Sequence, residues 1–131
     1  GNTLPLLKVY IKRMKRSIEN LRAAYPSAGI LVVSVPDRDQ RSAEGITTLK
    51  EVKELVALQA QLAADCGGGF FNLYQAIGGE SSMKRLVDSH RANKDYTHLS
   101  FGGGKVVAGK VFPSFIAGLE NYKRRKALEQ Q

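Results

Sequence analysis

The run Ile30-Leu31-Val32-Val33-Ser34-Val35 constrains this chain more than any other feature. It is apolar, rich in β-branched residues, and bounded by Tyr25-Pro26-Ser27-Ala28-Gly29 on one side and Pro36 on the other. Such a run predicts a strand buried on both faces, the environment of a strand in a parallel sheet. A sheet of that kind needs helices to cover it, and the flanking sequence has their periodicity.

Leu7, Ile11, Met14, Ile18 and Leu21 recur at spacings of three and four, which predicts a helix over about residues 4–24 with Pro5 in its first turn. Pro36 to Gly45 reads as a polar loop. Thr48 with Glu51 forms a capping-box pattern that opens a second helix. Val52, Leu55, Val56, Leu62 and Ala63 make its inner stripe, and Gly67-Gly68-Gly69 ends it. Phe70 to Tyr74 is a second short strand. Residues 77–100 read as loop-rich, with a helical turn or two after Met83. A last helix starts near Gly104, carries Val107, Val111, Phe115 and Leu119, and should be kinked or interrupted at Pro113. The order α-β-α-β-loop-α predicts α/β packing on a parallel sheet, with a right-handed helical crossover between the two strands.

Two strands make a very small sheet, and an open apolar edge invites pairing. The chain is therefore expected either to belong to a larger protein or to complete its sheet by association. The second case predicts a homodimer in which residues 30–35 of two copies pair antiparallel, near the stripe of the first helix.

With 131 residues the chain suits one core, and 43% hydrophobic with 24% charged residues is an ordinary globular composition. A single cysteine, Cys66, allows no intrachain disulfide and no cysteine-based zinc site, and two histidines leave little for any metal. No cofactor is expected. The longest uncharged stretches, such as Ala23 to Pro36, fall short of the roughly 20 residues a membrane span needs. Gly1-Asn2-Thr3 lacks the features of a signal peptide. Twenty Lys and Arg against 12 Asp and Glu give a formal charge of +8, which points towards anionic partners. The cations, however, concentrate on the first helix (Lys8, Lys12, Arg13, Lys15, Arg16, Arg22) and near the end (Lys123 to Lys126). They read as solvated helix faces, so neither nucleic acid nor a membrane is expected as partner.

The pattern with the most chemistry in it is Asn93-Lys94-Asp95-Tyr96-Thr97-His98-Leu99-Ser100. Asp and His three apart on one turn can set a carboxylate beside an imidazole, fixing its tautomer and stabilising the imidazolium. Asx turns use the same residues for structure alone, so the spacing leaves both readings open. Ser81 and Ser82 read as turn or cap residues, Asp37 and Asp39 as a polar turn that fails the calcium-loop template, Cys66 as a small core residue and His90 as a surface residue. Phe101-Gly102-Gly103-Gly104-Lys105 lacks phosphate-loop spacing, and its glycines read as a turn into the last helix.

Taken in order, Ile30 to Val35 with Asp37, Gln59 to Ala64, Phe71-Asn72-Leu73-Tyr74, Gly78-Gly79-Glu80-Ser81-Ser82-Met83 and the Asp95-x-x-His98 pair before a final helix resemble GDSL/SGNH-type serine esterases, in particular their acetylesterase-like branch. The resemblance covers about residues 5–120. It implies a flavodoxin-like three-layer fold with a five-stranded parallel sheet, of which residues 1–131 would form the C-terminal part, a two-strand, three-helix unit. It implies a Ser-His-Asp triad with Asp95 as orienting acid and His98 as base, acting on esters such as O-acetylated glycans. The family's G-D-S nucleophile block has no match here, and Gly1-Asn2 is a candidate tail of its asparagine block. The resemblance thus implies a serine supplied by a missing N-terminal half or by another chain, an inactive isolated chain, and a periplasmic or secreted location. The alternative class is a non-catalytic module, either a truncated relic or a basic binding protein.

Overall fold

A computed structural model describes residues 4–130; the Gly1-Asn2 candidate lies outside the described residues. The elements are α1 (Leu4–Ala24), β1 (Leu31–Val33), β2 (Asp39–Ser42), β3 (Gly45–Thr48), α2 (Lys50–Asp65), β4 (Gly69–Phe71), α3 (Leu73–Ala76), α4 (Ser82–Asp88) and α5 (Phe101–Glu129). They group into two units.

The first unit holds the described residues up to Val35 together with Lys50–Asn72. β1 and β4 pair in parallel, with Leu31 opposite Gly69, Val32 opposite Phe70 and Val33 opposite Phe71, as the alternation of strand and helix predicts. Ile18, Val32, Leu62 and Ala63 form the core, and Ile11, Met14, Ile30, Cys66 and Phe70 pack against it. The stripes of α1 and α2 thus converge on the Val32 side of β1. The expected burial of both faces does not occur: Leu31 and Val33 are each 44% exposed, because the described elements cover one side of the strand. Among the described residues β1 and β4 pair only with each other.

α2 adds a polar contact that its apolar periodicity does not announce. Gln59 is buried, and its Oε1 accepts a hydrogen bond from Val35 N–H at 3.0 Å, satisfying the donor just past β1. α2 ends in a Schellman motif, in which Gly68 N–H donates to Ala63 O at 2.9 Å and Gly67 N–H to Ala64 O at 3.1 Å. Gly67 supplies the left-handed residue, at φ 64°. The Arg22 guanidinium donates to Cys66 O at the same helix end.

The second unit holds Pro36–Leu49 and the described residues from Leu73 onward. The expected polar loop before α2 is instead an antiparallel hairpin, with Asp39 opposite Thr48 and Ser42 opposite Gly45 around a two-residue connection. Its strands are polar and do not alternate, so periodicity gave no signal for them. The strand expected over 70–74 stops at Phe71, and Leu73 and Tyr74 turn into α3, where Tyr74 is buried. α4, seven residues or about two turns, matches the helical turn or two expected after Met83. Thr48 does not cap α2; its hydroxyl is spent within the second unit.

α5 starts three residues earlier than the glycines suggest. Ser100 caps it, its Oγ accepting from Gly103 N–H at 3.0 Å. Gly103 is buried, and a Cβ there would overlap the Arg91 carbonyl oxygen, so the glycine permits a backbone approach inside the helix and is not a turn. Pro113 lies within α5, and the helix continues through it to Glu129. No helix among the described residues is long and apolar enough to cross a membrane.

Candidate active site

Asp95 and His98 sit in a turn closed at its base by an antiparallel bridge between Ala92 and Leu99. Asn93 N–H donates to His98 O at 2.7 Å and Tyr96 N–H to Asn93 O at 3.0 Å, so the backbone folds tightly back on itself. Tyr96 takes a left-handed conformation, φ 55°, to make that reversal.

Inside the turn the Asp95 carboxylate accepts three hydrogen bonds. Oδ1 accepts from Thr97 N–H at 2.9 Å and from His98 N–H at 3.0 Å, an Asx turn. Oδ2 lies 2.7 Å from His98 Nδ1. The bond to His98 and the two backbone donors hold the Asp95 carboxyl down at about 2. A carboxylate ionised at every pH near neutrality accepts the Nδ1 proton, which leaves Nε2 as the free nitrogen of a neutral ring. The His98 side chain is 72% exposed, so that nitrogen is open to an incoming group. Chemically, the pair can take a proton at Nε2 and stabilise the resulting imidazolium.

Neither Ser81 nor Ser82 hydrogen-bonds to this pair. Ser81 is in a left-handed conformation, φ 57° and ψ 23°, at the start of α4 and makes no side-chain cap bond. Ser82 is 1% exposed, and its Oγ is closed off from any substrate and has no partner among the described residues.

Asp37 and Asp39, read from the sequence as a polar turn, are drawn into the fold instead. Both are buried, at 1% and 4% exposure. Thr48 Oγ1–H lies 2.7 Å from Asp37 Oδ1 and 3.3 Å from Asp39 Oδ1, while the same oxygen accepts from Ser81 N–H at 2.9 Å. Met83 N–H donates to Asp37 Oδ2 at 2.9 Å and Lys84 N–H to Asp39 Oδ2 at 2.8 Å. The two carboxyls therefore hold the first turn of α4 against the hairpin. Burial, together with the hydrogen bond to Asp37, pushes the Asp39 carboxyl up to about 7. The group is a structural clasp, and no cluster of three or more His, Cys, Asp or Glu among the described residues could hold a metal ion.

A cavity of about 540 Å³ lies beside the Asp95–His98 turn, lined by Arg41, Asp88, His90, Lys94 and Tyr96, with Ala92 in its wall. Nothing in the sequence signals it, because Arg41 reaches it from β2, about 50 residues before Lys94 and Tyr96.

No family model matches the chain, and no curated protein matches it. Among solved structures it is similar to one described as a peptidoglycan O-acetylesterase in action, with a TM-score of 0.68 and 20% sequence identity, covering 92% of this chain and 33% of that one. The chain thus spans about a third of the length of the structure it matches, and what the likeness establishes is a mixed α/β, esterase-like fold.

Proposed function

We propose that this chain supplies the acid and base of a Ser-His-Asp ester hydrolase of the GDSL/SGNH type, acting on O-acetyl esters of a glycan. On this reading residues 1–131 form the C-terminal part of a flavodoxin-like domain, and the serine comes from a segment outside this chain. The observation that carries it is the 2.7 Å contact between Asp95 Oδ2 and His98 Nδ1, on an imidazole left exposed. The fold likeness to a peptidoglycan O-acetylesterase supports the substrate class.

The mechanism follows from the geometry. Asp95 holds the Nδ1–H tautomer, so Nε2 accepts the serine proton as the oxygen attacks the ester carbonyl. The imidazolium then gives that proton to the sugar oxygen as its bond to the acetyl carbon breaks, so the sugar leaves as an alcohol and an acetyl-serine forms. Nε2 next takes a proton from water, hydroxide character attacks the acetyl carbonyl, and acetate leaves as the proton passes back to serine. Donors for the oxyanion would come from the serine-bearing segment.

The test is acetate release from O-acetylated peptidoglycan. The isolated chain should release none above its His98→Ala variant, since on this reading the serine-bearing segment supplies the nucleophile. The serine-bearing protein that includes this chain should lose about 10³-fold or more on His98→Ala. Unchanged turnover of that variant would refute the assignment.

For the isolated chain we further propose a homodimer, in which the second copy covers the free edge of β1. Among the described residues β1 pairs only with β4, and its other edge supports this. Light scattering at micromolar concentration should give twice the monomer mass, and a monomer would reject it.

A further inference from the structure

The cavity beside the turn is built from cations that have no work elsewhere. Arg41 and Lys94 take part in none of the ion pairs among the described residues. The one carboxylate in the wall, Asp88, is neutralised by Lys84 at 2.7 Å. Two uncompensated cations, an imidazole and a phenol therefore converge on about 540 Å³, a volume in the range of small-molecule sites. The hydrogen bond from Asp39 N–H to Tyr96 O, 3.1 Å, ties β2 to the turn and brings Arg41 to the same cavity as Lys94.

Two residues of the lining hold unfavourable backbone conformations. Tyr96 has φ 55°, rare for a bulky side chain. His90 has φ 61° at the end of α4. There Arg91 N–H donates to Leu86 O at 2.7 Å and His90 N–H to Val87 O at 3.0 Å, the same Schellman motif that ends α2. α2 places Gly67 at the left-handed position, the residue that backbone sterics favour, whereas α4 places a histidine there. Capping alone explains the conformation but not the side chain. What the histidine adds is an imidazole in the cavity wall.

We propose that this cavity is a subsite for a carboxylate of the ester substrate, bound by the Arg41 guanidinium and Lys94 ammonium, with His90 and Tyr96 donating further hydrogen bonds. Arg41 can meet a carboxylate through two parallel N–H donors. Lys94 and Tyr96 flank Asp95 in sequence, so a substrate held here has its anionic group within a residue or two of the Asp95–His98 pair. The proposal rests on the ester hydrolase reading and narrows its substrate to an acidic glycan.

Binding separates the two claims, because it needs no serine and no turnover. The chain, labelled with ¹⁵N, is titrated with N-acetylmuramic acid, with uncharged N-acetylglucosamine, and with inorganic phosphate at constant ionic strength. The acid sugar should shift the amides of residues 87–96 and the His90 ring saturably, and the uncharged sugar should not. Arg41→Ala and Lys94→Ala, both at exposed positions, should each weaken the acid sugar about tenfold with the rest of the spectrum unmoved. His90→Gly restores the favoured residue at the left-handed position, so it should raise the thermal midpoint while weakening binding. Equal shifts from both sugars, no shift from either, or tighter binding of phosphate than of the acid sugar would overturn the carboxylate subsite. A His90→Gly protein that binds as before would remove the imidazole from it.

Discussion

The Asp37–Asp39 clasp makes stability depend on pH in the direction opposite to an ordinary surface carboxylate. The folded-state value for Asp39, about 7, lies above its unfolded value of 3.8. The folded form therefore binds this proton more tightly than the unfolded chain does. Its contribution is fully present below about pH 4, falls as the pH rises, and is gone above about pH 7. A rise from 3.8 to about 7 corresponds to at most about 4 kcal/mol, part of which comes from the neighbouring Asp37. About 3 kcal/mol of that change falls between pH 5 and pH 8. The perturbation is Asp39→Asn, which stays neutral, keeps an oxygen to accept from Lys84 N–H, and presents an N–H₂ donor to Asp37. Amide exchange at Met83 and Lys84, corrected for the intrinsic rate, reads the clasp directly. The parent chain should lose protection from pH 5 to about 7 and then level off. The variant should be flat across that range and more protected than the parent at pH 8. Glu80 and Lys84, which also face the clasp, remain in both proteins, so the difference between them isolates Asp39. Protection that is constant or rises with pH in the parent, or a variant less protected at pH 8, would refute the reasoning.

Other substitutions probe the rest of the molecule. Gly103→Ala drives a methyl into the Arg91 carbonyl and should cost about 3 kcal/mol, measured by urea denaturation; a loss below about 1 kcal/mol would mean the two backbones are not in contact. Gln59→Ala leaves Val35 N–H without its partner and should destabilise by about 1–3 kcal/mol, with amide exchange at Val35 accelerated first. Asp95→Asn should move the neutral His98 ring away from the Nδ1–H tautomer, visible in its ¹⁵N shifts; an unchanged tautomer would show that Asp95 does not set it. Because the Asp95 value is depressed to about 2, the stability it contributes is present above its unfolded value near 4 and is lost as the pH falls from about 4 to 2. Acid titration of the Thr97 and His98 amides should trace that window in the parent and not in the variant.

What was legible in the sequence is local or periodic. The stripe of α1, the span of α2 and the parallel partnership of β1 with β4 follow from apolar spacing, because burying one face is what such spacing does. The Asp95–His98 contact was legible for a different reason: its partners are three residues apart, and an Asx turn brings them together without help from the rest of the chain. Tertiary structure alone decided the remainder. The hairpin β2–β3 carries no apolar alternation, and Asp37 just before it and Asp39 within it find their backbone donors on Met83 and Lys84, 46 and 45 residues away. Gln59 looks like a surface residue until Val35, 24 residues earlier, needs an acceptor. The three glycines in the first turn of α5 look like a turn into the helix until the Arg91 carbonyl shows which of them must lack a side chain. In each case the deciding partner is distant in sequence, and a polar group is stable inside a protein only where such a partner meets it.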